Sequence, residues 1–379
     1  MEKSIHRLLT THAGSLPRPP DLAELNAAKM RGEAYDEQAR SERIPGAVRD
    51  TVHQQSEVGL DIINDGECSK TNFLAYAEDR LTGFERAEIG EGFFVRRDWR
   101  MFESFYRDST WGRRPGGNQP VCTGPIGYQG QALIKSDIEN LRAAVAESRL
   151  SNELFLTAIA PGTFGRGQNR YYPSEEAFLF AISEAMREEY RAIIDAGLVL
   201  QIDDPGLPDT WDMLELGLDE YRRFAQIRVD ALNHGLAGLP EDRIRYHICW
   251  GSWPGPHVTD IPLRDIADLL LQVHAGAYYV EAANPRHEHE WKVWQEVKLP
   301  EGKVLIPGVV THKTPVVEHP EVVADRLVRY AEVVGRENVI AGTDCGVGGR
   351  IDTNVAWAKL RAMVEGAALA SQRLWATPA

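Results

Sequence analysis

Short apolar runs that end in polar residues beside Gly or Pro alternate along this chain with longer stretches of helical periodicity. Eight runs stand out: RLLTTHAGS (7–15), LDIINDGE (60–67), LFLTAIAPGT (154–163), LVLQIDDPG (198–206), IRYHICWG (244–251), YYVEAANP (278–285), KVLIPGVVTH (303–312) and NVIAGTDCG (338–346). Between them, 175–197, 261–277 and 319–335 repeat apolar residues at three- and four-residue spacing and predict helices, with Gly197 and Gly335 as C-terminal stops. Strands alternating with helices predict a parallel sheet, and eight such units predict a single (β/α)8 TIM barrel spanning residues 1–379.

One region breaks the rhythm. Residues 84–130 are rich in Gly, Pro, Arg and aromatics and show no amphipathic helix of usual length. They predict an insertion or lid between strands 2 and 3, with PVCTGPIGY (120–128) as a small extra strand. The alternative is a ninth βα unit of the barrel itself.

Composition adds little beyond class: 43% hydrophobic and 26% charged residues are ordinary for a soluble globular protein. A net charge of −14 argues against nucleic acid or an acidic membrane surface as partner. No signal-peptide pattern is present, nor an apolar run near the roughly 20 residues of a membrane span, so a cytoplasmic location is expected. Four cysteines are too few for a disulfide framework, and in that compartment they stay reduced and available as ligands.

In an eight-stranded barrel the active site lies at the C-terminal strand ends. Here strand 1 ends in Ser15, strand 2 in Asp65 and Glu67, strand 4 in Asp203 and Asp204. Strand 5 carries His247 and Cys249, strand 6 Glu281, strand 7 His312, and strand 8 Asp344 and Cys345. Residues i and i+2 on a strand share a face, so His247 and Cys249 point into one site, which Cys345 can join from another strand end. One His and two Cys with a further donor make a zinc set. Each residue alone has a plainer reading: a strand cysteine is usually a small buried hydrophobe, and Glu281 could equally pair with Arg286 or Arg245. Cys68 and Cys122 lack ligand patterns and read as structural. His287, Glu288, His289 and Glu290 read as a solvated surface or helix start, and His12 as pocket lining or packing.

The chemistry follows from the thiol. A free thiol is only about 3% thiolate at pH 7, and zinc deprotonates a coordinated one. With Glu281 as fourth donor, two thiolates and a carboxylate leave the ion anionic, which favours thiol alkylation over hydrolysis. Glu67 and Asp203, without adjacent cations in the sequence, suit the ammonium of an amino-acid thiol; helix capping or a link to loop arginines is the plainer role. His312 suits a general acid toward the leaving group.

The motifs THAGSLPRP, INDGE, QIDDPGL, HICWG, YYVEAANPR, PGVVTHKTP and GTDCGVGG, in this order, resemble the catalytic C-terminal barrel of cobalamin-independent methionine synthase, most closely its short single-barrel members. The resemblance runs over roughly residues 6–350. It implies Zn2+ bound by His247, Cys249, Glu281 and Cys345, an amino-acid thiol held by the Ser15 loop, Glu67 and Asp203, and His312 as the match to the family's catalytic histidine. Full-length members carry an extra N-terminal barrel that helps bind a polyglutamylated folate, and this sequence shows none. The family's folate-packing tryptophan is also absent: APGTFGRGQNR (160–170) puts Gly165 and Arg166 there. The donor is therefore open between methyltetrahydrofolate, a corrinoid protein and another small methyl or alkyl donor. Trp99, Phe102, Phe105, Tyr106 and Trp111 are candidates for its wall.

The sequence thus reads as a zinc-dependent thiol S-alkyltransferase, with methyl transfer to homocysteine to form methionine as first choice. The same family includes epoxyalkane:coenzyme M transferases, the runner-up. Their thiol bears a sulfonate, which would need Arg18, Lys70, Arg166 or Arg350 as partner. A non-catalytic zinc-binding barrel is the third reading; a large barrel with its own core scarcely needs a structural ion.

Overall fold

The eight runs become strands because β-branched and aromatic side chains saturate them between turn residues. The computed structural model describes residues 1–88, 96–108, 118–150 and 152–376. Its strands are β1 Leu9–Thr10, β2 Ile62–Ile63, β3 Glu153–Ile159, β4 Val199–Asp203, β5 Ile244–Ile248, β6 Ala277–Val280, β7 Val304–Val310 and β8 Ile340–Thr343. Neighbours pair in parallel in the order β1-β8-β7-β6-β5-β4-β3-β2. The ring closes where Asp61 N–H donates to Thr10 O (3.2 Å) and Thr11 Oγ1 to Ile62 O (3.1 Å). This is the (β/α)8 barrel the periodicity predicts. Each strand is shorter than its apolar run, because the polar tail of the run leaves the sheet and forms the loop that carries the chemistry.

Two hydrophobic layers result. Leu8, Leu156, Tyr246, Leu305 and their like pack outward against the helices. Ile62, Phe155, Val199, Tyr279 and Ile306 fill the barrel interior. The interior also holds a buried cation: Arg245 donates to Gln201 Oε1 (2.7 Å), Thr11 Oγ1 (2.9 Å) and His12 O (2.9 Å), and lies 3.5 Å from the Phe155 ring centre. Burial lowers its pKa to about 10.

The helix expected at 175–197 spans Glu175–Asp195, capped by the Ser174 hydroxyl on Ala177 N–H, and Gly197 follows with φ +72°. The helix expected at 319–335 spans Pro320–Val334 and stops at Gly335. The one expected at 261–277 does not form. It breaks into a 3-10 turn Leu263–Asp265 and a single turn Ala267–Leu270, and its last residue already belongs to β6. Ile261, Leu263, Ile266, Leu269, Leu270 and Val273 are all buried, so their spacing records burial rather than a helical face.

Between β2 and β3, Phe84–Glu88 pairs antiparallel with Asn118–Cys122, and Gln168–Asn169 joins the latter in parallel. The extra strand thus lies at 118–122 rather than 120–128. This sheet stands apart from the barrel, so there is no ninth barrel strand among the described residues. Short helices Arg97–Met101 and Glu103–Asp108 follow the hairpin's first strand, and Trp111 lies outside the described residues.

The run at 287–290 does start a helix, the 3-10 turn Glu288–Lys292, and His289 is exposed, but His287 and Glu290 face inward. His287 is buried, stacks on Trp250 at 4.0 Å, and sits between Glu290 Oε2 (2.8 Å) and Asp260 Oδ2 (3.0 Å). Burial opposes its protonation, but the two carboxylates prevail and raise its pKa to about 9. Because the folded value exceeds the ordinary one, the stabilisation is complete below about pH 6.5 and is lost as pH rises through about 9. The difference is on the order of 3 kcal/mol. Resistance to denaturant is therefore expected to weaken from pH 6.5 to pH 9.5, and His287→Gln should flatten that slope. An identical slope in the variant would remove His287 as its cause.

Candidate metal centre

The register of β4 against β5 sets Asp203 opposite His247, and parallel strands turn both to the same face. Asp203 Oδ1 lies 2.8 Å from His247 Nδ1 and accepts from Gln201 Nε2 at 2.6 Å. Gln201 in turn accepts from Arg245, so a polar column rises through the barrel and ends on the imidazole. With Nδ1 bonded to the carboxylate, Nε2 is the nitrogen offered to a metal; it lies 3.3 Å from Asp344 O. Burial disfavours His247's charge, but the Asp203 contact outweighs it and raises the pKa to about 9.

Three donors meet here. One nitrogen of His247 and the sulfurs of Cys249 and Cys345 all lie within 4.8 Å of one another. The sulfurs are 3.7 Å apart, against the ~3.8 Å separating two sulfurs that each sit ~2.3 Å from a tetrahedral centre. Contact with Cys249 holds the Cys345 thiol well below its ordinary value; burial opposes this, and His247 and Arg350 reinforce it. Cys249 is correspondingly pushed up. Ser252 Oγ also donates to Cys345 Sγ at 3.4 Å.

Glu281 follows β6, the neighbour of β5. Its Oε2 accepts from Asn284 Nδ2 at 2.8 Å, while Oε1 is buried with no hydrogen-bond partner. Burial, opposed by Lys313 and aided by Asp344 and Cys345, raises its pKa to about 8. It pairs with neither candidate arginine: Arg245 fills the barrel floor, and Arg286 donates to Val258 O. The donors that converge within 4.8 Å are His247, Cys249 and Cys345, and Glu281 is not among them. One imidazole and two sulfurs fit zinc, and the orphaned carboxylate oxygen of Glu281 is the candidate for a fourth donor.

The other site residues surround these. Gly14 holds φ +121°, and a Cβ there would lie 2.7 Å from Thr157 Cγ2 and 3.5 Å from Glu67 Oε1, so glycine lets the Ser15 loop reach Glu67. Ser15 O accepts from Val347 and Gly348 N–H, both at 3.0 Å, which ties its loop to the one after Cys345. Glu67 takes the unusual φ +58° and accepts from Thr157 Oγ1 at 2.6 Å. It does have a cation beside it: Lys70 Nζ is 3.6 Å from Oε1 and donates to Thr157. His312 is buried with neither ring nitrogen hydrogen-bonded, and burial together with Lys313 and Arg350 keeps it neutral. His12 is packing: Gln55 holds its Nε2 at 2.8 Å and Phe155 meets its ring edge-on. Cys68 and Cys122 are buried apart from this group.

Of the four candidate cations for a sulfonate, three are engaged. Arg18 donates to Glu67 O, Lys70 serves Thr157 and Glu67, and Arg166 holds Asp209 Oδ2 at 2.8 Å. The described part of residues 84–130 packs on the loops that follow β4 and β5. Asp98 accepts from Tyr106 Oη (2.7 Å), His257 N–H (3.1 Å) and Val258 N–H (3.0 Å), and Arg96 pairs with Asp209 and stacks 3.7 Å over Trp253. Tyr106 is thereby buried, while Phe105 is exposed.

Sequence reasoning missed two supporting residues, Gln201 and Asn284, and named a third, the strand-end Asp344, without its role. Gln201 fixes Asp203, and Asn284 holds Glu281. Asp344 accepts from Ala282 and Ala283 N–H at 2.7 and 2.8 Å and so anchors the end of β6. Asn284 and Asp344 were visible as polar strand-end residues, but nothing in the order of residues names their partners.

The family described as Cobalamin-independent synthase, Catalytic domain, matches residues 8–101 and 165–369 of the chain. A methionine synthase of Sulfolobus acidocaldarius is 24% identical over 379 residues, covering 99% of this chain and 95% of that protein. A 5-methyltetrahydropteroyltriglutamate–homocysteine methyltransferase of Thermotoga petrophila is 22% identical over 345 residues, covering 89% of this chain but 41% of that protein. In three dimensions the chain is similar to a B12-independent methionine synthase from Shewanella sp. W3-18-1 solved with selenomethionine, with TM-score 0.76, 20% identity, and coverage of 98% and 100%. At that identity the likeness is one of fold. No helix among the described residues is long and apolar enough to cross a membrane.

Proposed function

Because the chain belongs to the cobalamin-independent synthase family, we propose that it methylates the sulfur of homocysteine to form methionine, with zinc held by His247, Cys249, Cys345 and Glu281. The convergence of one imidazole nitrogen and two sulfurs at the strand ends carries this reading. Relatives covering nearly the whole chain are named methionine synthases, and longer ones name homocysteine as acceptor.

When bound, zinc ionises a coordinated thiol and keeps it nucleophilic at neutral pH. Asp203 and Gln201 fix the imidazole that faces the thiol. Glu67, held by Thr157 and Lys70, takes the substrate ammonium together with the outer edge of Asp203, and the Ser15 loop takes its backbone end. Neutral His312 suits both halves of the proton balance: it accepts the thiol proton and passes it to the leaving atom of the donor as the methyl moves to sulfur. The longer relatives name a folate-type donor, methyltetrahydropteroyltriglutamate. A small-molecule donor is therefore the first to test. Arg166, standing where the family's tryptophan would be, is spent on Asp209 and Thr163 O, so the donor's flat face is recognised elsewhere.

The test is methionine formation by the zinc-loaded protein from homocysteine, with methyltetrahydropteroyltriglutamate and a methylated corrinoid supplied in parallel. Chelation is expected to stop turnover with the far-UV dichroism retained, and zinc to restore it. Full turnover after chelation would remove zinc from the reaction. Unfolding on chelation would make the ion structural, as in the scaffold reading.

A further inference from the structure

Lys313 follows β7 and Gly251 follows β5, and β6 lies between those strands. The Lys313 ammonium nevertheless donates to Gly251 O, so its side chain crosses the end of β6, where Glu281 stands. Gly251 permits this by its φ of +81°; a Cβ there would collide with the Trp253 ring at 2.0 Å. On the other side the ammonium lies 3.0 Å from His257 Nε2, which also meets Trp253 O at 3.0 Å. His257 itself has φ +56° and is over-determined: its Nδ1 lies 3.0 Å from Asp260 Oδ2, and its backbone N–H is held by Asp98. Asp260 then leans on His287. So much support for one lysine fixes its charge in place. Yet no ion pair joins Lys313 to a carboxylate among the described residues, and Glu281, whose carboxyl feels the Lys313 charge, keeps one buried oxygen unpaired.

We propose that Lys313 is a positioning residue for Glu281, the counter-ion that receives its carboxylate when the thiol substrate enters the metal site. The inference rests on the function proposed above. A buried carboxylate that gives up one partner must find another or be strongly penalised. An ammonium has three protons to donate; Gly251 O takes one, and His257 Nε2, shared with Trp253 O, takes at most one more, which leaves one for Glu281. Substrate entry and carboxylate release then become one exchange between charged partners.

The test loads the wild type, Lys313→Met and Lys313→Arg with Co2+ and titrates each with L-homocysteine, reading the visible cobalt absorption. All three should take up one ion with similar resting spectra. Lys313→Met should need about tenfold or more homocysteine for the spectral change, the loss of one charge-assisted partner, and Lys313→Arg should recover most of it. The same pair is compared in a Glu281→Gln background, where no carboxylate awaits the lysine and Lys313→Met should cost nothing further. An equal loss in both backgrounds would make Lys313 a mere strap between loops, and a wild-type midpoint in Lys313→Met would end the assignment outright. If wild-type cobalt protein ignores homocysteine altogether, the proposed function falls and this inference with it.

Discussion

Replacing Cys345 by serine is expected to abolish zinc binding and methyl transfer while leaving the barrel folded. The sulfur is one of three donors within 4.8 Å, and serine at neutral pH supplies a neutral hydroxyl where a soft anionic ligand is needed. The two remaining protein donors of that group then compete poorly for the ion. Loss of thiol ionisation alone is worth about 30-fold, since only about 3% of a free thiol is ionised at pH 7. Loss of the positioned sulfur adds more, because a well-oriented nucleophile acts at a large effective concentration. Turnover should therefore fall by at least about a thousandfold, ~4 kcal/mol of barrier. The fold should survive because the strand ends are tied without metal: Asp344 clasps Ala282 and Ala283 N–H, and Ser15 O takes Val347 and Gly348. Metal analysis, turnover and far-UV dichroism on one preparation decide it. A Cys345→Ser protein with full zinc and full activity would overturn the ligand set, and an unfolded one would make the ion structural.

How much of the molecule is legible in its sequence follows from where the partners lie. All eight strands can be read because a buried strand announces itself locally, by an apolar run closed with Gly or Pro. The three donors that converge can be read for a similar reason: His247 and Cys249 are two residues apart, and Cys345 ends another run. Residues 261–277 mislead because a stretch buried on every side shows apolar residues at helical spacing without being a helix. His287 and Glu290 mislead because charged residues in a row normally signal solvent, and the Asp260 that holds His287 inside lies 27 positions away. Glu67 reads as lacking a cation because Lys70 is three residues on in a turn rather than a helix, and only the positive φ at Glu67 brings them together. Residues 84–130 are set off by their composition. Their attachment to the β4 and β5 loops cannot be read, since Asp98 meets His257 across 159 positions and Arg96 meets Asp209 across 113. What escapes, in each case, is a polar contact whose partners no period connects.

The two acids assigned to the substrate ammonium should separate on mutation. Asp203 does two jobs: one oxygen is spent on His247 Nδ1 and Gln201 Nε2, and the other edge is left for substrate. Asp203→Asn keeps the shape and an acceptor oxygen but removes the negative charge that makes the imidazole a stronger ligand. It also invites its amide nitrogen to point at His247, which would demand the opposite tautomer. Zinc affinity should fall about 10–100-fold, the usual cost of disturbing a histidine ligand's outer partner, and homocysteine affinity should fall with it. Glu67 is different. It touches Thr157 and Lys70 and belongs to no donor group, so Glu67→Gln should leave zinc affinity unchanged and weaken homocysteine binding about tenfold or more, as expected for one charged hydrogen bond. Competition with a chromophoric chelator measures the first quantity, and calorimetric titration of the zinc-loaded protein the second. If Asp203→Asn holds zinc as tightly as wild type, the polar column from Arg245 does not tune the ligand. If Glu67→Gln binds homocysteine undiminished, the ammonium lies elsewhere. Only a split, with zinc and thiol both weakened in one variant and thiol alone in the other, fits a site in which Asp203 bridges the two functions and Glu67 serves the substrate alone.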